Sequence, residues 1–145
     1  MTADLTEYQK SDILGKSQIE LVIQVYDGAI TAFKAASEAY KNDDNTRGYE
    51  HLEKAKRFVT HLYTTLDVEK GGEIADRLGK LYAFVINETN AVVATKDLDQ
   101  IDDNITILSN LRSAWVELKD RDIETNETDS QITGSEVDQA LITSV

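Results

Sequence analysis

The chain has 145 residues, 41% of them hydrophobic and 29% charged, and its 15 Lys and Arg face 27 Asp and Glu for a net charge of −12. That charge excludes a nucleic-acid binder, which needs a positive footprint, and docking on an anionic membrane. The absence of Cys excludes disulfides and thiolate chemistry, and the absence of Pro favours long helices over a turn-rich β architecture.

One domain is expected at this length. No apolar run reaches the length of a membrane span, and the polar, acidic stretch from Met1 to Lys10 predicts no cleaved signal, so a cytoplasmic location is expected. Residues 1–16 carry Leu5, Tyr8, Ile13 and Leu14 before Gly15 and read as an N-terminal arm or small capping helix.

Residues 17–120 read as four amphipathic helices. The first runs from about Ser17 to Tyr40, with Ile19, Val22, Ile23, Tyr26, Ile30, Phe33 and Tyr40 on one stripe and Leu21, Val25, Ala29, Ala32 and Ala36 on a second. Ser17 with Glu20 matches a capping box, in which hydroxyl and carboxylate satisfy two unpaired N–H groups. The second helix runs from about Thr46 to Leu66 on the seam Leu52, Ala55, Val59, Leu62 and Leu66, flanked by Phe58 and Tyr63. Gly71-Gly72 interrupts the pattern. The third runs from about Glu73 to Thr95, with Ile74, Leu78, Leu81, Val85 and Val92 beside Ala75, Tyr82, Ile86 and Val93. The fourth runs from about Leu98 to Lys119, with Asp97 and Gln100 at its start. Helices this long joined by short connections are antiparallel neighbours, so the expected fold is all-α, an antiparallel up-down four-helix bundle. Residues 121–145 hold one cation, Arg121, against six acidic side chains and are expected to form a flexible acidic tail; Val137, Leu141 and Val145, at four-residue spacing, are the one helical feature in it.

Little catalytic chemistry is available. His51 and His61 do not share a helical face, and neither follows a Glu by three positions as a di-iron bundle requires. No phosphate-binding Gly-rich loop and no Ser-His-Asp arrangement is legible, so no catalytic, cofactor-binding or metal site is assigned. Asp99, Asp102 and Asp103 sit where a helix dipole favours carboxylates. The Asn-x-Thr patterns at Asn87, Asn104 and Asn126 are read as chance matches. His51 with Lys54 on a bundle helix resembles a histidine phosphotransfer module, although Ala55 and Lys56-Arg57-Phe58 depart from its pattern; this is the alternative reading.

The more informative feature is a surplus. A bundle helix buries a stripe of about 100°, and the first and third helices carry two. Apolar surface left outside a bundle points to a protein partner, and interhelix grooves suit an amphipathic helix.

Leu21 through Ile30, LVIQVYDGAI, is similar to the LVxxLYDGAI signature of the FliS family of flagellar secretion chaperones. Leu66 through Ala75, LDVEKGGEIA, followed by Leu78 and Leu81-Tyr82, resembles that family's second signature, and the likeness extends from about Leu5 to Leu118 through Leu108, Leu111-Arg112 and Trp115. Gln18 stands where the family often has Pro, a change that the Ser17 cap should absorb. The resemblance implies a cytoplasmic chaperone that binds the disordered C-terminal segment of flagellin, prevents early polymerisation and serves the flagellar export apparatus. It implies protein-binding roles for Tyr8, Tyr26, Ile30, Ile74, Leu78, Tyr82 and Trp115, with Tyr8 on an arm that competes with the client.

Overall fold

In a computed structural model of the chain, which describes residues 18–128 and their side chains as far as Arg121, the periodic segments form α1 (Gln18–Lys41), α2 (Asn45–Thr64), α3 (Val68–Thr95) and α4 (Leu98–Thr128). No strand occurs among the described residues. Each helix packs on the next in sequence and α4 returns to α1, which closes a four-helix bundle. The arm at 1–16, the Ser17 cap, Tyr8 and residues 129–145 lie outside the described residues.

Most of the expected seams form the core, but Leu81, expected on the α3 stripe, is exposed and Leu66, expected on the α2 seam, is half-buried. Tyr26 and Phe33 of α1, Leu52 and Val59 of α2, Tyr82, Val85 and Val92 of α3, and Ile101 and Leu108 of α4 are fully buried. Each large aliphatic or aromatic side chain removed from water in this way stabilises the bundle by about 1.5–3 kcal/mol.

Boundaries are set by caps that periodicity does not show. The α1–α2 turn passes through Asp43 in the left-handed region (φ 59°), and the Asp44 carboxylate accepts from Arg47 N–H at 3.2 Å, so α2 starts at Asn45. The Asp67 carboxylate accepts from Lys70 N–H at 3.1 Å. That cap nucleates a turn ahead of the glycine pair, so α3 begins at Val68 rather than at Glu73. The expected interruption survives inside the helix, because Gly72 sits at φ 58° and ψ −134°, a conformation open essentially only to glycine. At α4 the Asp97 carboxylate accepts from Asp99 N–H at 2.9 Å, as a cap should. Gln100 turns elsewhere, to the hydroxyl of Thr95 and the carboxylate of Glu88. The helix then runs to Thr128, past the boundary expected at 120, because no Gly or Pro between Arg121 and Thr128 stops it.

Gly28 shows why two helices approach closely here. A Cβ at this position would lie 2.6 Å from Cζ of Phe58, so the Phe58 ring rests on bare backbone of α1. Alanine is the better helix former by about 1 kcal/mol, yet Gly28→Ala is expected to lower stability by a net ~1–2 kcal/mol through overpacking. Urea unfolding should show a lower midpoint at unchanged slope, with Phe58→Leu restoring most of the loss in the double variant.

Candidate functional site

The side chains matching the family signatures converge on one polar cluster inside the bundle. The hydroxyls of Tyr26 on α1 and Tyr82 on α3 are 2.5 Å apart, and the indole N–H of Trp115 on α4 donates to the Tyr26 oxygen at 3.2 Å. The two Tyr rings stand 6.3 Å apart at a 54° tilt. Both tyrosines are fully buried and Trp115 is 2% exposed. Burial disfavours the phenolate and pushes the Tyr26 hydroxyl up to about 12, against a smaller opposing effect of its two hydrogen bonds. Burial raises the Tyr82 hydroxyl as well, reinforced by the neighbouring Tyr26 charge and by the bond to it. A second buried pair ties α3 to α4: the Asn104 amide donates to the Thr89 hydroxyl at 3.3 Å, and that hydroxyl donates to the Val85 carbonyl at 2.7 Å. Asn104 is therefore no accessible glycan acceptor.

The remaining signature positions divide. Ile30 and Leu78 are buried and Ile74 is half-buried. Most of the residues singled out from the signatures thus hold the helices together, and the open apolar surface is built by others.

That surface lies on α2 and α3. The core stripe of α3 is Leu78, Tyr82, Val85 and Val92. One flank carries Gly79 and Ala83, whose short side chains leave a hollow of about 280 Å³ toward α2, walled by Tyr63, Leu66 and Val68, with Asp76 and Lys80 also lining it. Farther round α3, Leu81 is 38% and Phe84 49% exposed. Tyr63 and Val68 stand open at 46% and 56%. The α1–α2 face has a hollow of about 150 Å³ bordered by Leu21, Val22, Val25 and Leu62, and another of about 310 Å³ bordered by Ala32, Ala35, Phe58, His51 and Lys54.

The surplus expected on α1 is therefore smaller than its second stripe suggested. Ala29, Ala32 and Ala36 are covered, which leaves Leu21 and Val25 half-buried at the α1–α2 hollow. Tyr63 is open as its off-seam position implied. Val68 and Phe84 were missed as surface residues. Phe84 had a legible signal, a large apolar residue well off the core stripe of α3; Val68 had none, because its exposure follows from the Gly72 break.

His51 is half-buried on the wall of an α1–α2 hollow. No group of three His, Cys, Asp or Glu among the described residues is placed to hold a metal ion, and none of the described helices is long and apolar enough to cross a membrane.

The described residues thus form an all-helical bundle with a sealed polar cluster inside and apolar hollows on its outer faces. The sequence profile of the family described as flagellar protein FliS matches residues 1–122. The chain is 31% identical over 110 residues to the flagellar secretion chaperone FliS of Salmonella typhimurium, covering 75% of this chain and 82% of that protein. Its identity to the protein of that name from Vibrio cholerae is 29% over 119 residues (79% and 88% covered), and to the one from Campylobacter jejuni 28% over 116 residues (80% and 87% covered). The chain belongs to the FliS family of flagellar secretion chaperones.

The tyrosine pair makes a pH prediction. An unfolded Tyr ionises near 10, so above that pH the unfolded chain holds fewer protons than the native one and stability falls. Full stability is expected below pH 10, with a loss approaching ~1.4 kcal/mol per pH unit for each such tyrosine as the pH climbs toward 12. Urea unfolding between pH 8 and 11.5 checks this, and Tyr82→Phe should flatten the decline.

Proposed function

We propose that this chain is an export chaperone for flagellin, working in the cytoplasm. It holds the disordered C-terminal segment of flagellin in its apolar interhelix grooves, prevents premature polymerisation, and aids delivery to the flagellar export apparatus. The observation that carries the reading is the apolar surface of Tyr63, Val68, Leu81 and Phe84, set in a family whose relatives are named secretion chaperones. It is a binding function rather than an enzymatic one. Nothing in the family assignment supports phosphotransfer through His51.

The physical logic follows from the client. A disordered segment loses conformational entropy on binding, so the complex must bury extensive apolar area to compensate. Grooves spread along two helices suit a wrapped chain better than a single pocket would. In this reading Ile74 contacts the client directly. Tyr26, Ile30, Leu78, Tyr82 and Trp115 act by fixing the spacing of the helices that frame the grooves. Tyr8 belongs to the arm that competes with the client.

A pull-down of the C-terminal flagellin segment is the first test, followed by calorimetry across temperature. A negative heat-capacity change is expected, with weak dependence on salt; a change near zero removes groove burial as the driving force. Val68→Asp and Phe84→Asp, both at exposed positions, should weaken binding at least tenfold while thermal unfolding moves little. Tyr8→Ala should leave the bundle folded and binding equal or tighter, and markedly weaker binding would place Tyr8 among the client contacts.

A further inference from the structure

A line of residues runs along α3 apart from the α2–α3 hollow. Ile74, Arg77, Leu81, Phe84, Glu88 and Ala91 recur at steps of 3, 4, 3, 4 and 3. Each stands one position ahead of a buried residue of the core stripe, which is Ala75, Leu78, Tyr82, Val85, Thr89 and Val92. The line therefore lies about 100° round the helix from the core. It is on the α4 side, since Glu88 accepts from the Gln100 amide at 3.2 Å, whereas Asn90 on the opposite flank bonds Lys56 of α2. Arg77, Leu81 and Phe84 are exposed, and Ile74, Glu88 and Ala91 are half-buried.

The line is complementary to itself when reversed. A two-fold axis between Tyr82 and Ala83 lays Leu81 on the partner's Phe84, Arg77 on the partner's Glu88, and Ile74 on the partner's Ala91, and each contact occurs twice. A self-complementary patch is what a symmetric pair of identical chains requires, and the 3–4 spacing is the one by which paired helices interlock. The register is specified as well. Sliding the partner by seven residues in either direction sets Arg77 against Leu81 or Phe84 against Glu88, a charge against an apolar side chain. Arg77 already holds Glu73 at 2.9 Å. A guanidinium has five N–H donors and a carboxylate about four acceptor positions, so Arg77 and Glu88 can each add a partner without giving up the first.

The net charge of −12 repels copies of the chain in general. Between residues 74 and 91 it vanishes, because Asp76 and Glu88 balance Arg77 and Lys80. This face is where two copies meet with little repulsion.

We propose that α3 pairs antiparallel with α3 of a second copy along this line, in a two-fold dimer. One helix face, roughly 25 Å long, makes an interface at the small end of the specific range, below about 1,200 Å², so the dimer is weak and dissociates on dilution. That a client competes with the second copy for Leu81 and Phe84 rests on the function proposed above; the pairing itself does not.

Sedimentation equilibrium of the full-length chain without flagellin, from micromolar to millimolar concentration, should show a reversible monomer–dimer equilibrium. Arg77→Glu and Glu88→Arg each set like charges across the axis and should weaken the dimer about tenfold or more, with circular dichroism checking that each variant is folded. An equimolar mixture of the two should dimerise as the unmodified chain does, because one chain then offers two carboxylates and the other two guanidiniums. The double variant, with the charges exchanged within one chain, should dimerise equally well. Leu81→Ser, which leaves the charges alone, should weaken the dimer by a similar factor. A chain that stays monomeric at millimolar concentration overturns the proposal. So does a dimer that these single substitutions leave unchanged, or one that neither the mixture nor the double variant restores. Each of those results leaves the flagellin reading standing, and a failed flagellin pull-down leaves the pairing standing.

Discussion

The Tyr26 oxygen is where three of the four helices meet. It accepts from the Trp115 indole and shares a hydrogen bond with Tyr82, in a region that water does not reach. Leaving any of these polar groups unpaired there would cost about 1–3 kcal/mol. The cluster therefore tolerates one relative placement of α1, α3 and α4. Apolar seams alone are less exacting, since hydrophobic contact is non-directional. The Asn104–Thr89 pair imposes the same kind of constraint nearer the other end of α3 and α4. One contact relayed through Tyr26 and one direct contact thus fix the register of α3 against α4.

A fixed frame allows open apolar hollows to persist without collapse. The helices would otherwise slide or tilt to cover Val68, Leu81 and Phe84, since exposed apolar area favours closure. Small residues shape the hollows. Gly79 and Ala83 lower the floor between α2 and α3, whereas Gly28 lets Phe58 lie flat on α1 and narrows the opposite face. Gly72 re-aims the chain between α2 and the long part of α3, and so leaves Val68 standing in solvent. Gly28 of the first signature and Gly72 of the second thus have structural reasons, one a close approach and the other a backbone conformation.

Charge has a lesser part in the architecture. The ion pairs Glu73–Arg77 and Asp76–Lys80 run along the surface of α3, where such contacts contribute little. Asp27–Arg112 bridges α1 and α4 but is partly exposed. The net charge of −12 favours solubility and repels like-charged surfaces. That suits a protein with open apolar hollows, because copies of the chain repel one another where hydrophobic contact would join them.

Periodicity determined the helices, their order and most of the core: the seam Leu52, Ala55, Val59 and Leu62 and, of the α3 stripe, Leu78, Val85 and Val92 are buried, whereas Leu66 and Ile74 are half-buried and Leu81 is exposed. It did so because a 3.6-residue repeat needs no knowledge of neighbours. The family was also legible, in two signatures whose residues lie close together along the chain. Only the tertiary structure decided which apolar residues are surplus. Tyr26, Tyr82 and Trp115 carry the strongest signature and are core, while Leu81, placed on the α3 stripe by its spacing, and Val68, which carries no signal, are open. Exposure depends on how near the adjacent helix comes, and that distance is set by small residues and polar contacts up to 89 positions apart in sequence. No local pattern contains that information.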